Sequence, residues 1–455
     1  MITGVKMDKK EHIQATTPDQ RAMSKWDMFA TWIGANANNG TWYIGGVIAT
    51  VGLIKASTLL VVVGSISYIL LGLASYMGYK TGLPAMTLTR PSFGVKGSIL
   101  PSIVNVVQFI GWAAINTFIA ATSLAFIFHS FFKWPLFGQP GGNLGLIVGI
   151  LVMSVLHILS IIAGQRSVQL VERIGVILVI IFVILEAFVV FKNVSFTQIA
   201  HYVVPKAQQM PLGLAIDTIA ASSLGWVMGG ADFTRFTGKK GTSITAPFWG
   251  ALLGLLSFGM IGICTTISVA LTSGTYNPNN SDPSIIANKL GLGLIAMIVI
   301  VLTSMTANAV NIQAGASALN NMTPKLSLNK SLVVITIASM ILTFVPILSG
   351  SFLNSFISFL DYTGMLLGPI IAIMVVDYFI LNKDSYNQTA LSDINGKLWY
   401  HDGFNLIAIV SLVVGVLIYL ALKQVGFFKD FTGATFITMG IVAVLYLGAS
   451  KIFHK

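Results

Sequence analysis

Residues 34–46 read Gly34-Ala35-Asn36-Ala37-Asn38-Asn39-Gly40-Thr41-Trp42-Tyr43-Ile44-Gly45-Gly46, inside a run over about 27–54 that is otherwise apolar. Three Asn and two Gly within seven residues make a poor helix, and carboxamides facing lipid are costly. The stretch is therefore expected to break a membrane-spanning helix. Unwinding there would free carbonyls for a cation and amides for a polar ligand near mid-membrane depth. A second such place is Ser222-Ser223-Leu224-Gly225 with Gly229-Gly230-Ala231-Asp232, in a run over about 210–231. Close helix packing through glycine is the competing explanation for either stretch. The two runs are the first and sixth of their kind. Two five-helix repeats of inverted topology, each beginning with a broken helix, give that spacing, and the coincidence favours the breaks.

The rest of the chain agrees. Of 455 residues, 55% are hydrophobic and 9% charged, and mean hydropathy is +0.84. Soluble domains carry about 25% charged residues, so a wholly soluble enzyme is excluded. Apolar runs near 27–54, 59–79, 98–130, 143–164, 174–192, 210–231, 244–272, 283–315, 331–349, 352–381, 402–422 and 431–450 give twelve candidate spans, each about 20 residues or longer. The expected organisation is a tail at 1–26, one repeat over 27–192, its inverted partner over 193–381, a loop at 382–401, and two peripheral helices within 402–455.

The net charge of +11 fits a membrane protein without invoking nucleic acid. With the N-terminus inside, nineteen of the 26 Lys and Arg fall on the cytoplasmic side and seven on the other, a strong positive-inside bias. With an even number of spans both termini are expected in the cytoplasm, and polar residues 1–25, which lack the apolar core of a signal peptide, read as a tail there. Cys264 stands alone in an apolar stretch, giving neither an intrachain disulfide nor a zinc cluster. A Gly-Lys-Ser/Thr phosphate loop, a His-Glu-x-x-His pair and a nucleophile elbow are all absent. The sequence therefore suggests no enzyme and no ATP-driven pump.

Polar residues inside spans are functional candidates. Gln108, Trp112 and Asn116 are spaced i, i+4, i+8 and share one helical face. An indole beside a carboxamide suits a flat heteroaromatic ring, although a Trp packed between helices explains the same spacing. Span eight carries Thr303, Ser304, Thr306, Asn308, Asn311 and Gln313, a density that must face the bundle interior and whose hydroxyls suit a small cation. Glu186 and Asp361 are candidate proton carriers. Against that, Glu186 could snorkel outward near Lys192, and Asp361 could mark a helix break or interhelical contact. Asp217 is expected near the outer mouth of span six. His129 and His157 read as packing residues, and Arg90 and Arg235 as loop salt-bridge partners.

Four runs carry a resemblance. Trp32-Ile-Gly-Ala-Asn-Ala37, Arg90-Pro-Ser-Phe-Gly94, Asp232-Phe-Thr-Arg-Phe236 and Asp377-Tyr-Phe379 are similar, in order, to signatures of the nucleobase–cation symporter family, in its purine–cytosine permease branch. The resemblance implies an all-α polytopic membrane protein of LeuT type: twelve helices, a 5+5 inverted repeat with helices 1 and 6 broken, and two peripheral helices. It implies import of a purine or pyrimidine nucleobase, cytosine first, by symport with Na⁺ or H⁺. A hydantoin, allantoin, a nucleoside or a thiamine-precursor pyrimidine are the alternatives. The ring would stack on Trp112, with Asn116, Asn38 and Asn311 as polar contacts. The family's second stacking aromatic falls near Ser222 and Ser223, with Trp226 the nearest aromatic. The cation would take span-one carbonyls at Ala35 and Asn38. Anchoring on Asn311 brings Met305 and Thr306 to the hydroxyl pair, with Ser304 as a substitute. No cofactor is implied beyond the coupling ion, and one copy in a bacterial inner membrane would suffice for transport.

Overall fold

The computed structural model describes residues 15–162, 180–277, 281–386 and 396–453. The first fourteen residues of the expected tail, the start of span five and much of the loop after span ten lie outside them. Among the described residues the chain is helical apart from two isolated bridges. Ten helices are long and apolar enough to cross a bilayer.

The first span is not among those ten, because its break leaves two halves of 12 and 10 residues, each too short to cross alone. Helix α1 (Lys25–Asn36) starts on a reciprocal cap between Ser24 and Asp27 and stops at Ala37. Helix α2 (Asn39–Ile48) starts afresh, with Asn38 in an extended conformation accepting a bond from the Thr41 N–H. An Asn that caps the second half is what ends the first. The chain continues through α3 (Leu53–Thr81), the short α4 (Arg90–Phe93), α5 (Ile99–Phe132), α6 (Asn143–Ile162) and the described part of α7 (180–193).

After α8 (Phe196–His201), the sixth span repeats the device. Helix α9 (Leu212–Val227) gives way at Met228-Gly229 to α10 (Gly230–Thr234). Then come α11 (Lys240–Ser273), α12 (Pro283–Lys289), α13 (Gly293–Met322), α14 (Leu328–Thr343), α15 (Val345–Ser349), α16 (Phe352–Val376), α17 (Leu406–Gln424) and α18 (Thr435–Phe453). One span boundary needs correction. The run over 283–315 is two elements, because Gly291 and Gly293 take φ of 70° and 71° and separate α12 from the span proper. Continuous apolar sequence conceals such a turn.

Glycine explains how the first span fits its neighbours. A Cβ at Gly45 would stand 2.1 Å from the Gly259 carbonyl oxygen, and one at Gly262 would stand 2.0 Å from that of Trp42. Helix α2 and helix α11 therefore touch backbone to backbone. Break and close packing, rivals in the sequence, occur together here. The outer faces of α3, α6, α17 and α18 carry exposed Ile69, Leu151, Leu417 and Val444, as lipid-facing surfaces do.

The signature runs are ties between elements. Asp232 Oδ1 accepts from Ser317 Oγ at 2.9 Å and from the Ala85 N–H at 3.3 Å. Arg90 Nη2 donates to Asn321 Oδ1 at 3.1 Å, and Asp377 accepts from the hydroxyls of Tyr386 and Tyr446 at 2.7 and 2.8 Å. At the head of α18, Asp217 of α9 accepts from the Ala434 N–H at 2.9 Å, the Thr435 N–H at 2.8 Å and Thr435 Oγ1 at 2.7 Å. Asp361 pairs with Lys423 at 2.5 Å, which makes it an interhelical contact.

Candidate functional site

A cavity opens where the break in the first span meets α5, α9 and α13. It is lined by Asn36, Asn38, Thr41, Ile44, Tyr68, Trp112, Asn116, Ser222, Trp226, Leu255 and Asn311. Five residues expected at a ligand site meet there: Asn38, Trp112, Asn116, Ser222 and Asn311. Ser223 is buried beside it without lining it. The cavity measures about 10 Å³, near the ~10–15 Å³ needed to hold one water. As it stands, the cavity is too small for a heteroaromatic ring.

Trp112 is held edge-on by Phe356 and Phe359 of α16, with ring centroids 6.1 and 5.6 Å away. Trp112 also lines the cavity. Gly40, in the first turn of α2, lies against that indole, and a Cβ there would meet Trp112 at 3.1 Å. One turn along α5, Asn116 donates to the Trp112 carbonyl at 3.0 Å and accepts from the Gly40 N–H at 3.3 Å. The carboxamide thus joins the stacking helix to the break. Gln108, one turn earlier, donates to the Gly225 carbonyl at 3.1 Å, and Asn105 donates to that of Met228 at 3.1 Å. The polar face of α5 therefore grips both broken spans.

One further group, Tyr68, is not singled out by the sequence, and others named there find their partners here. Tyr68 of α3 donates to Asn36 Oδ1 at 2.6 Å, so it enters the cavity wall through the first span. Trp226 reaches the cavity and meets Trp32 edge-on, with centroids 6.0 Å apart. A second aromatic thus stands near the ligand position although Ser222 and Ser223 fill the expected one. Asn311 Oδ1 is buried with no hydrogen-bond partner, and its Nδ2 reaches Asn308 at 3.5 Å. Asn308 in turn donates to the Ala113 carbonyl, Thr117 Oγ1 and His157, each at 3.0 Å. His157 is therefore part of a polar cluster between α5, α6 and α13.

The residues expected to hold a cation engage different partners. The Ala35 carbonyl accepts from the Asn38 side chain at 2.5 Å, and Thr306 turns back to the Thr303 carbonyl at 2.8 Å. Ser304 does face the first break, together with Thr303, and both touch the side chain of Asn39. Adjacent hydroxyls at 303 and 304 share a face with the carbonyl of residue 300, one turn earlier, and that spacing is the signal available in the sequence. Among the described residues no group of three His, Cys, Asp or Glu could hold a metal ion. Glu186 is fully buried on the face of α7 that also carries Phe182 and Val190. Phe182 packs on Trp42 at 5.5 Å, and neither Glu186 carboxyl oxygen has a hydrogen-bond partner among the described residues. It does not snorkel outward.

Two broken spans crossing at a buried, carboxamide-lined cavity define a membrane transporter with the LeuT-type inverted repeat. Mhp1, a nucleobase-cation-symport-1 family transporter solved closed with bromovinylhydantoin bound, superposes at a TM-score of 0.78 over 97% of this chain and 95% of its own, at 15% identity. Its inward-facing form matches equally well. The chain belongs to the family described as permeases for cytosine/purines, uracil, thiamine and allantoin, whose model matches residues 15–445. The purine-uracil permease NCS1 of Arabidopsis thaliana is 25% identical, covering 95% of this chain and 74% of the relative. A putative allantoin permease of Escherichia coli is 24% identical over 95% and 92%. A putative purine-cytosine permease of Bacillus subtilis is 24% identical over 96% and 95%. These relatives are permeases, and this chain is a transporter.

Proposed function

We propose that the chain imports a purine or pyrimidine nucleobase, or a cyclic amide of similar shape such as allantoin or a hydantoin, by symport with an ion. Cytosine is the first ring to test. The observation that carries the reading is that Trp112 and Asn311, whose Oδ1 is unpaired, line one cavity. A flat ring bearing N–H donors stacks on the first and donates to the second. Trp226 supplies a second aromatic wall, and Asn116 and Asn38 supply the polar edge. The bundle that includes the first, second, sixth and seventh spans rocks against the rest, exposing the cavity to each side in turn. Coupling is reciprocal: an ion that favours the ring-binding state is itself bound more tightly when the ring is present. The ion is Na⁺ or H⁺, one copy of the chain suffices, and both termini lie in the cytoplasm of a cell whose inner membrane holds it.

The test is uptake of radiolabelled cytosine into proteoliposomes under separately imposed Na⁺ and proton gradients, with unlabelled purines, allantoin and hydantoins as competitors. Gradient-driven uptake of one ring, competed by its isosteres, supports the reading. Failure of every ring to enter or compete overturns it.

A further inference from the structure

A side chain of the protein itself sits among the oxygens that α13 presents to the first break. Asn39, the first residue of α2, is 1% exposed. Its Nδ2 lies 2.8 Å from the Ile300 carbonyl, 2.9 Å from Thr303 Oγ1 and 2.9 Å from Ser304 Oγ. Both hydroxyl protons are engaged elsewhere. Thr303 Oγ1 donates to the Ile300 carbonyl at 3.0 Å, and Ser304 Oγ donates to the Asn116 carbonyl at 2.9 Å. All three oxygens thus turn lone pairs toward one point. This network also orients the carboxamide, because Oδ1 placed there would bring four acceptors together. Oδ1 instead is buried without a hydrogen-bond partner.

Convergent carbonyl and hydroxyl oxygens beside an unwound span are the donor set of a small hard cation. We propose that the Asn39 amide nitrogen stands in for that cation, so that transport by this chain needs no Na⁺ at this seat. The amide meets the same three oxygens an ion would need, and the two cannot occupy one position. Expelling the amide would leave both ends of a buried carboxamide unpaired, a penalty an entering ion must overcome. The inference rests on the transport reading for its meaning and not for its test.

That test is direct ion binding to the purified full chain. Saturable ²²Na⁺ binding and the melting temperature are measured in NaCl against choline chloride at equal ionic strength. The wild type is expected to bind no ²²Na⁺ saturably and to melt at the same temperature in both salts. Asn39→Ala, which vacates the seat, is expected to gain a saturable Na⁺-dependent rise in Tm that a further Thr303→Val removes. Saturable ²²Na⁺ binding by the wild type overturns the proposal, as does a folded Asn39→Ala without that gain. If Asn39→Ala fails to fold, the wild-type measurement still decides. Because ion binding is read without uptake, failure of one reading is distinguishable from failure of the other.

Discussion

Gly40 presses against Trp112: the ring that faces the cavity from α5 touches the backbone at the start of α2, where a methyl group would stand 3.1 Å from the indole. Trp112 and the broken span are therefore one mechanical unit. In Gly40→Ala the indole must shift by a few tenths of an ångström. The expected outcome is ring binding weakened by about tenfold, or ~1.4 kcal/mol, with near-normal folding. Competition binding and size-exclusion elution on one preparation check it. Unchanged affinity would separate Trp112 from the ligand position.

Asn311 separates binding from stability. Its Oδ1 is buried without a partner, so removing it discards an unpaired acceptor. Asn311→Ala is expected to leave Tm unchanged or slightly raised while affinity for the ring falls by about tenfold or more, the scale of a lost buried hydrogen bond. A fall in Tm with unchanged affinity would mark Asn311 as structural.

Glu186 is a buried carboxyl whose part in coupling a single substitution can test. It is fully buried against the face of α7 that packs on the first span, and Gln matches its shape without its titration. Glu186→Gln is expected to abolish ring accumulation driven by a proton gradient while counterflow of labelled against unlabelled ring persists. Proton-driven accumulation at the wild-type level would remove Glu186 from coupling.

Asp282, which caps α12 through the N–H groups of Ser284 and Ile285, gives a pH dependence of stability. Burial pushes its carboxyl from an ordinary 3.8 up to about 6, against the opposing pull of those bonds. Between those values the folded protein holds the proton that the unfolded chain releases. Its contribution to stability is thus present at low pH and lost as pH rises through about 6. Asp282→Asn keeps the cap, and its Tm should fall less than that of the wild type between pH 5 and pH 7.

Much of this architecture is legible in the chain because a bilayer punishes exposed polar backbone. The Asn-rich run at 34–40 announces a break, and the i, i+4, i+8 face of α5 announces its grip on the site. Asn39 was not legible. Counting along α13 from Asn311 gives Met305 and Thr306, with Ser304 as a substitute; Thr306 bonds within its own helix, while Ser304 faces the break together with Thr303, which the count passes over. Helical spacing says which residues share a face, but not which carboxamide from 264 positions before Thr303 fills the gap between them. The break between α12 and α13 escaped for a related reason: a left-handed glycine in apolar sequence looks no different from one used for packing.

The three hydrogen bonds that Asp217 accepts from the head of α18 make a helix of the lipid-facing rim a rigid extension of the sixth span. Any tilt of that span must drag a greasy outer helix through the surrounding acyl chains. Turnover should then respond to bilayer thickness and viscosity as well as to ion gradients, so that the membrane itself acts as a damper on transport.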